Sequence, residues 1–360
     1  MKAGKILIIG GYGHVGRIIS LELADQFPHH VIAAGRSLQK AEKLSLESKG
    51  TILPLSLDIF NLKTSIEEVL NGVSQVIMCL DQPDTHFVEE IVRKGIDYID
   101  VTASNSFLES MTTHDDLAKT FGSSVILSVG LAPGLTNLLA AHVNEELDEI
   151  NHLDIFIMLG MGDEHGDAAI YWTLDNANTE FSVWEEGRQK IVRSFEDGKR
   201  TSLPSIGTRT AYRFNFPDQH SLPKTLGFRS VSSRLCFDLE IVTKIFAALK
   251  KIGALGILRR RKARNILAKG LKYIKVGSNQ FAIKVEAAGK KNGKSVKLSS
   301  TALGADEARM TGMIATQVAH QLYSGDPPSG IFHIEKLFEL DTLMKKLVEN
   351  DMIEITHETL

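Results

Sequence analysis

The stretch KILIIGGYGHVGRIISLELADQF, residues 5–27, decides the fold. A short apolar run ends in Gly10-Gly11-Tyr12-Gly13-His14-Val15-Gly16 and passes directly into a segment with apolar residues at helical spacing. Gly11, Gly13 and Gly16 form the G-x-G-x-x-G spacing in the strand-to-helix setting that gives it a physical meaning. The first glycine permits the tight turn, the second lets backbone N–H groups approach a pyrophosphate, and the third lets helix and strand pack closely. Residues 10–16 therefore read as a dinucleotide cradle.

Working outward, the first 150 residues alternate β-branched runs with helix-like stretches, the habit of an α/β protein with a parallel sheet. Strands are expected at residues 5–10, 30–35, 51–55, 75–80, 98–101 and 124–129, with helices at 14–27, 37–48, 62–70, 85–94 and 107–120. This spacing fits a Rossmann doubly wound parallel sheet of order 3-2-1-4-5-6. From about residue 150 the rhythm changes to longer alternating segments, HLDIFIMLGMG, AYRFNFP and NQFAIKVEAAG, which read as strands of a mixed or antiparallel sheet in a second α+β domain. Residues 307–360 turn helical again. The expected division is a Rossmann domain at 1–135 completed by helices from 307–360, with a substrate and dimerisation domain at 136–306.

The end of the second strand selects the cofactor, because the residue there meets the adenosine 2′ position. It is Arg36, followed by Ser37. A carboxylate would suit the 2′-hydroxyl of NAD, whereas an Arg fork and a hydroxyl suit the 2′-phosphate of NADP, so NADP is expected ahead of NAD. Asp58 and Ile59 are placed to meet the adenine. Leu80 and Asp81, with Gln82 and Pro83, follow the fourth strand on the ribose and nicotinamide side.

Composition narrows the class further. The 360 residues are 43% hydrophobic and 24% charged, which argues for a real core over two domains. Two cysteines, Cys79 and Cys236, make no disulfide framework and fit a reducing, cytoplasmic setting. No secretory signal pattern opens the chain, and no run approaches the roughly 18 apolar residues of a spanning helix. The net charge of −3 conceals an asymmetry: residues 244–275 hold eleven Lys and Arg and no Asp or Glu. That stretch is read as a solvated face, a lid for an anionic substrate, or a peripheral contact with anionic lipid. Nucleic acid is the weakest partner, since Tyr273 is the one aromatic ring in 259–275, where eight of the eleven charges fall.

Several stretches together resemble the saccharopine dehydrogenase-like oxidoreductases, in the saccharopine reductase and homospermidine synthase-like branch. They are GGYGHVGRIIS with AAGRSLQKAEKL, RKGIDYIDVTAS, SVGLAPGLTNLLAAHV, FAIKVEAAGKKNGK, TGMIATQVAHQLYSG and SGIFHIEKLF. The resemblance implies hydride transfer between a nicotinamide and a C–N bond, imine or secondary amine, of a small amino-acid-derived molecule, in a homodimer. It places the family's tyrosine-x-aspartate stretch at Tyr98-Ile99-Asp100, with Thr102 after it, and its proline-glycine turn at Pro133-Gly134, with Asn137 on the next helix. Many saccharopine reductases carry an acidic residue before that proline; here it is Ala132, which argues against an aminoadipate-type substrate.

Since hydride transfer is the nicotinamide's own chemistry, the protein must position the substrate and move a proton. Asp100 is the leading proton-handling or amine-binding candidate, and a structural aspartate is the competing reading. In the second domain the loop Asp163-Glu164-His165-Gly166-Asp167 leads to Tyr171-Trp172, so His165 and Trp172 are candidates for a substrate pocket. No second cluster with ligand spacing accompanies the loop, so no metal is expected. Arg209, Arg213, Arg229 and Arg234 are candidates for a carboxylate fork, with Arg209 and Arg234 foremost. A short-chain dehydrogenase mechanism needs Tyr with Lys four residues on; the six tyrosines are followed at that distance by Gly16, Thr102, Asp175, Phe216, Gly277 and Pro327, which excludes it. A non-catalytic NADP(H) sensor that keeps the cradle is the alternative.

Overall fold

A computed structural model of the chain describes residues 4–61, 65–273 and 276–360, apart from the side chain of residue 273. The start of the helix expected at 62–70, and Lys275 of the basic stretch, lie outside the described residues.

The chain divides into two compact units, Met1–Leu135 with Arg309–Phe338, and Thr136–Ala308 with Glu339–Leu360. In the first unit, strands β1 (Lys5–Ile9), β2 (Val31–Gly35), β3 (Ile52–Ser56), β4 (Val73–Met78), β5 (Asp97–Asp100) and β6 (Ser124–Leu127) pair in the order β6-β5-β4-β1-β2-β3, as the spacing predicts. All of these pairs are parallel. A seventh strand, Gly330–His333, adds in parallel to β6. The central strands are apolar runs because both faces are covered: Ile6 to Ile9 are fully buried, as are Val76 to Met78. Helices follow the strands at His14–Gln26, Leu38–Glu47, Ile66–Val69 and His86–Arg93. The single helix expected at 107–120 is two, Asn105–Thr112 and Asp115–Phe121. At the break, Asp115 turns its carboxylate to the backbone N–H of Ile331, which ties the second piece to the seventh strand at 2.8 Å.

The second unit is built on β7 (Glu149–Leu159), β8 (Glu180–Glu185), β9 (Arg188–Arg193), β10 (Lys199–Leu203), β11 (Gly207–Arg213), β12 (Val231–Phe237), β13 (Gln280–Lys291) and β14 (Lys294–Ala305). Its main sheet runs β10-β11-β12-β7-β13-β14 and ends in Ile353–Thr359, while β8 and β9 form a separate hairpin. β12 lies parallel to β7 and the other main-sheet pairs are antiparallel, so the sheet is mixed. β7 is buried continuously from Leu153 to Met158 and β13 from Phe281 to Val285, so both faces of the sheet are covered there, with Phe156, Met158 and Ala282 in one apolar cluster. The segment Glu307–Ser324 is helical as expected. Residues 339–360 group with the second unit rather than completing the first, and Ile353–Thr359 forms a strand where the sequence reading expected helix.

Candidate functional site

The cradle starts where β1 stops. Gly10 takes φ of 80°, a left-handed conformation open to glycine, and its carbonyl accepts the N–H of Gly13 at 2.8 Å. The helix His14–Gln26 then begins with no side-chain cap and no acidic residue in its first turn. Its leading N–H groups and the positive end of its dipole thus face solvent between exposed Gly13 and His14. Val15 is half-buried behind them. Close packing beneath depends on Gly16, where a Cβ would lie 2.2 Å from the Gly10 carbonyl oxygen. Ser20 adds a hydrogen bond from its hydroxyl to the Gly11 carbonyl at 2.9 Å.

Tyr12 links this cradle to the end of β2. A Cβ on Gly35 would stand 2.6 Å from its ring, and its hydroxyl accepts the Ser37 N–H at 2.7 Å. The Ser37 hydroxyl caps the helix Leu38–Glu47 by accepting the Lys40 N–H at 3.4 Å, so part of its hydrogen-bonding capacity is spent on the backbone. Arg36 is exposed and forms no ion pair among the described residues. An unpaired guanidinium beside an uncapped helix start is the kind of site that takes a phosphate. Asp58 accepts the Phe60 N–H at 3.1 Å, and Ile59 packs partly buried against the first unit's core. Leu80 packs on Gly10, and Asp81 is exposed next to it.

At the C-terminal ends of β4 and β5 lies a buried polar chain. Gln82 donates to the Tyr98 hydroxyl at 2.8 Å, and that hydroxyl donates to Asp100 Oδ2 at 2.6 Å. Asp100 Oδ1 accepts the Thr102 N–H at 2.8 Å and the Thr102 hydroxyl as well. Tyr98 and Asp100 share one face of β5 because side chains alternate along a strand. Burial pushes the Asp100 carboxyl up to about 6, against the hydrogen bonds from Thr102 and Tyr98 that favour its charge; the negative charge of Asp81 raises it further. Cys79 beside it is pushed up to about 12, mainly by burial, and stays a neutral thiol.

This shift has a sign. A carboxyl whose folded value lies above its ordinary 3.8 favours the protonated fold, so the stability it contributes is full below about pH 4 and is lost as pH rises through about 6. Asp100→Asn is expected to remove that decline. Urea midpoints of both proteins between pH 4 and 7 check it: parallel profiles would show that Asp100 titrates normally.

The turn Leu131–Leu135 follows β6, with Pro133 and Gly134 both buried and Gly134 at φ 138°. Nearby, Ser128 meets His333 Nδ1 at 2.8 Å in a buried pair. Sequence reasoning did not single out His333, although it lies inside the SGIFHIEKLF stretch.

In the second unit, His165 is bonded through Nε2 to the Gly160 carbonyl at 3.0 Å and stands 3.5 Å from Glu307. Asp163, His165 and Glu307 bring ligating atoms within 4.8 Å of one another. Those atoms are already engaged: Asp163 accepts the N–H groups of Glu164 and Glu307, and Glu307 accepts that of Gly160. Burial and neighbouring Asp163 push the Glu307 carboxyl well up. Trp172 packs against Phe214 and Phe216 at ring distances of 5.6 and 5.3 Å. Arg209 is half-buried and donates to the Thr208 carbonyl at 3.1 Å.

Arg234 departs most from its expected role. It is buried, lies 3.3 Å from Asp154 and 2.8 Å from Asp197, and donates also to the Asp197 carbonyl. Its fork is consumed inside the sheet, which leaves it no geometry for a substrate carboxylate. Arg213 shares Asp197 at 2.7 Å. Asn137 is buried and donates to Ser221 at 3.2 Å. The sequence reading also missed Asp218, a buried carboxyl pushed up to about 6 by desolvation and bonded to Ser233 and the Gln219 N–H. It sits in a polar stretch, DQHS, with no signal of burial.

Residues 6–125 match the family described as the saccharopine dehydrogenase NADP binding domain. The likeness in fold extends beyond that segment. Saccharopine dehydrogenase (L-Glu forming) from Saccharomyces cerevisiae superposes with a TM-score of 0.66 at 14% identity, covering 99% of this chain and 100% of that one. Homospermidine synthase from Legionella pneumophila, solved in complex with NAD, superposes with 0.66 at 11% identity over 100% and 92% of the two chains. Among curated protein sequences, none matches the chain. No described helix is long and apolar enough to cross a membrane.

Proposed function

We propose that the saccharopine dehydrogenase-like chain is an NADP(H)-dependent oxidoreductase that moves hydride to or from a C–N bond of a small amino-acid-derived molecule, working as a cytoplasmic homodimer. The observation that carries the cofactor choice is Arg36, exposed and unpaired at the end of β2 where an NAD-type site would place a carboxylate. The uncapped helix start after Gly13 would hold the pyrophosphate, and Arg36 the 2′-phosphate. The nicotinamide supplies the hydride when bound. Beyond β4, the buried Gln82 Oε1 has no hydrogen-bond partner among the described residues, an acceptor that a donor group on cofactor or substrate would satisfy. The C–N chemistry rests on the family resemblance.

Arg36→Asp is expected to weaken NADPH binding by at least about tenfold relative to NADH, the loss of one charge-assisted contact. Paired titrations followed by nicotinamide fluorescence check this, and an unchanged preference removes the cofactor argument. Turnover is tested by oxidation of NADPH with amino-acid-derived imines.

One observation favours the sensor reading: Tyr98, Asp100 and Thr102 spend their polar atoms on one another and are buried. These three then position the strand end, and the proton is handled elsewhere or not at all. NADPH binding without turnover across the imine panel would select the sensor.

A further inference from the structure

The basic stretch beyond residue 240 folds as two helices, Glu240–Lys251 and Arg261–Tyr273, joined by the tight turn Ala254–Arg259. One side is anchored. Thr243 is buried and accepts the Phe237 N–H at 2.8 Å, Leu255, Leu258 and Ala268 are buried, and Arg264 pairs with Asp175. The other side is bare and apolar. Ile241 and Ile245, one turn apart on the first helix, are 63% and 49% exposed, Ile252 at its end 76%, Ile257 in the turn 56% and Ile266 on the second helix 73%. Soluble surfaces scatter such residues singly, whereas here they are concentrated in 26 residues of a 360-residue chain.

Around them stand Lys251, Arg259, Arg260, Arg261, Lys262 and Lys269, all exposed and without an ion pair among the described residues. Aliphatic side chains ringed by uncompensated cations define the chemistry of the occupant: an apolar interior behind a negatively charged face. A second copy of the chain would bring like charges together. Nucleic acid would leave the isoleucines without partners, since single strands are gripped by stacking on aromatic rings.

We infer that this helical pair is a docking surface for an anionic lipid bilayer, in which the isoleucines enter the headgroup boundary and the cations meet lipid phosphates. The contact is peripheral and reversible.

Full-length protein is sedimented with phosphatidylcholine vesicles with and without phosphatidylglycerol. Binding to the phosphatidylglycerol vesicles alone, weakening as salt rises, is expected. Ile252→Asp with Ile266→Asp, and separately Arg260→Glu with Arg261→Glu, should each reduce the bound fraction at least about tenfold, because apolar burial and charge both contribute. Thermal melts and circular dichroism unchanged from the parent in both variants show that they fold. Absence of the protein from phosphatidylglycerol pellets overturns the inference. Binding that is indifferent to the isoleucine pair overturns it too, since the contact would then be plain charge adsorption. Lipid-free self-association that disappears with the isoleucine pair would assign the face to a second copy instead.

Discussion

Gly16→Ala is expected to lower NADPH affinity about 100-fold or more, the scale on which a 1 Å misplacement is felt. The added Cβ would sit 2.2 Å from the Gly10 carbonyl oxygen and 2.9 Å from its carbon, and both are backbone atoms. No side chain can swing away, so the helix start must lift from the end of β1. The N–H groups that face the phosphate lift with it. Overpacking of this kind also costs about 1–3 kcal/mol of stability. Calorimetric titration with NADPH, beside a thermal melt of the unliganded protein, separates the two effects. Affinity within threefold of the parent would mean that phosphate is held elsewhere.

The second large effect lies in the other unit. Arg234→Leu is expected to destabilise the protein by about 3–5 kcal/mol, because one partner of a buried charge network is removed. Asp154 is buried and its carboxyl is held well below the usual range by His152 and Lys199 against the cost of burial, so it keeps its charge when Arg234 goes. At about 2–4 °C per kcal/mol for a unit of this size, the melting midpoint should fall by roughly 10 °C. Replacing Asp154 by Leu as well should recover part of the loss, since an apolar pair tolerates the interior better than a buried carboxylate left with only His152 and Lys199. A substrate-binding Arg234 would behave otherwise, with KM rising and the melting midpoint holding.

The parts of the fold legible in the sequence are those with local causes. The cradle could be read because three glycines, a strand and a helix lie within 23 residues, and Arg36 because it follows directly on β2. The alternation that puts Tyr98 and Asp100 on one face was equally legible. What could not be read was that Thr102 and Tyr98 would take up both carboxylate oxygens of Asp100, since a strand end gives no sign of which neighbours turn inward. Arg234 looked like a free fork because Asp154 and Asp197 stand 80 and 37 residues away. Ser128 and His333 are 205 residues apart, beyond any local pattern. The strand Ile353–Thr359 was missed because an edge strand needs few apolar residues, and Ile353 alone among its seven is buried.

The pairing of Gly330–His333 with β6 bears on how the molecule is made. When the ribosome has delivered the first 135 residues, the parallel sheet exists in sequence but its β6 rim is an open ladder of backbone groups. That rim stays open until nearly two hundred further residues have emerged and the seventh strand arrives. Translation halted in the interval would leave a nascent chain with a sticky border, a ready substrate for holdase chaperones and for proteolysis. The nucleotide module that looks self-contained on paper is therefore born incomplete.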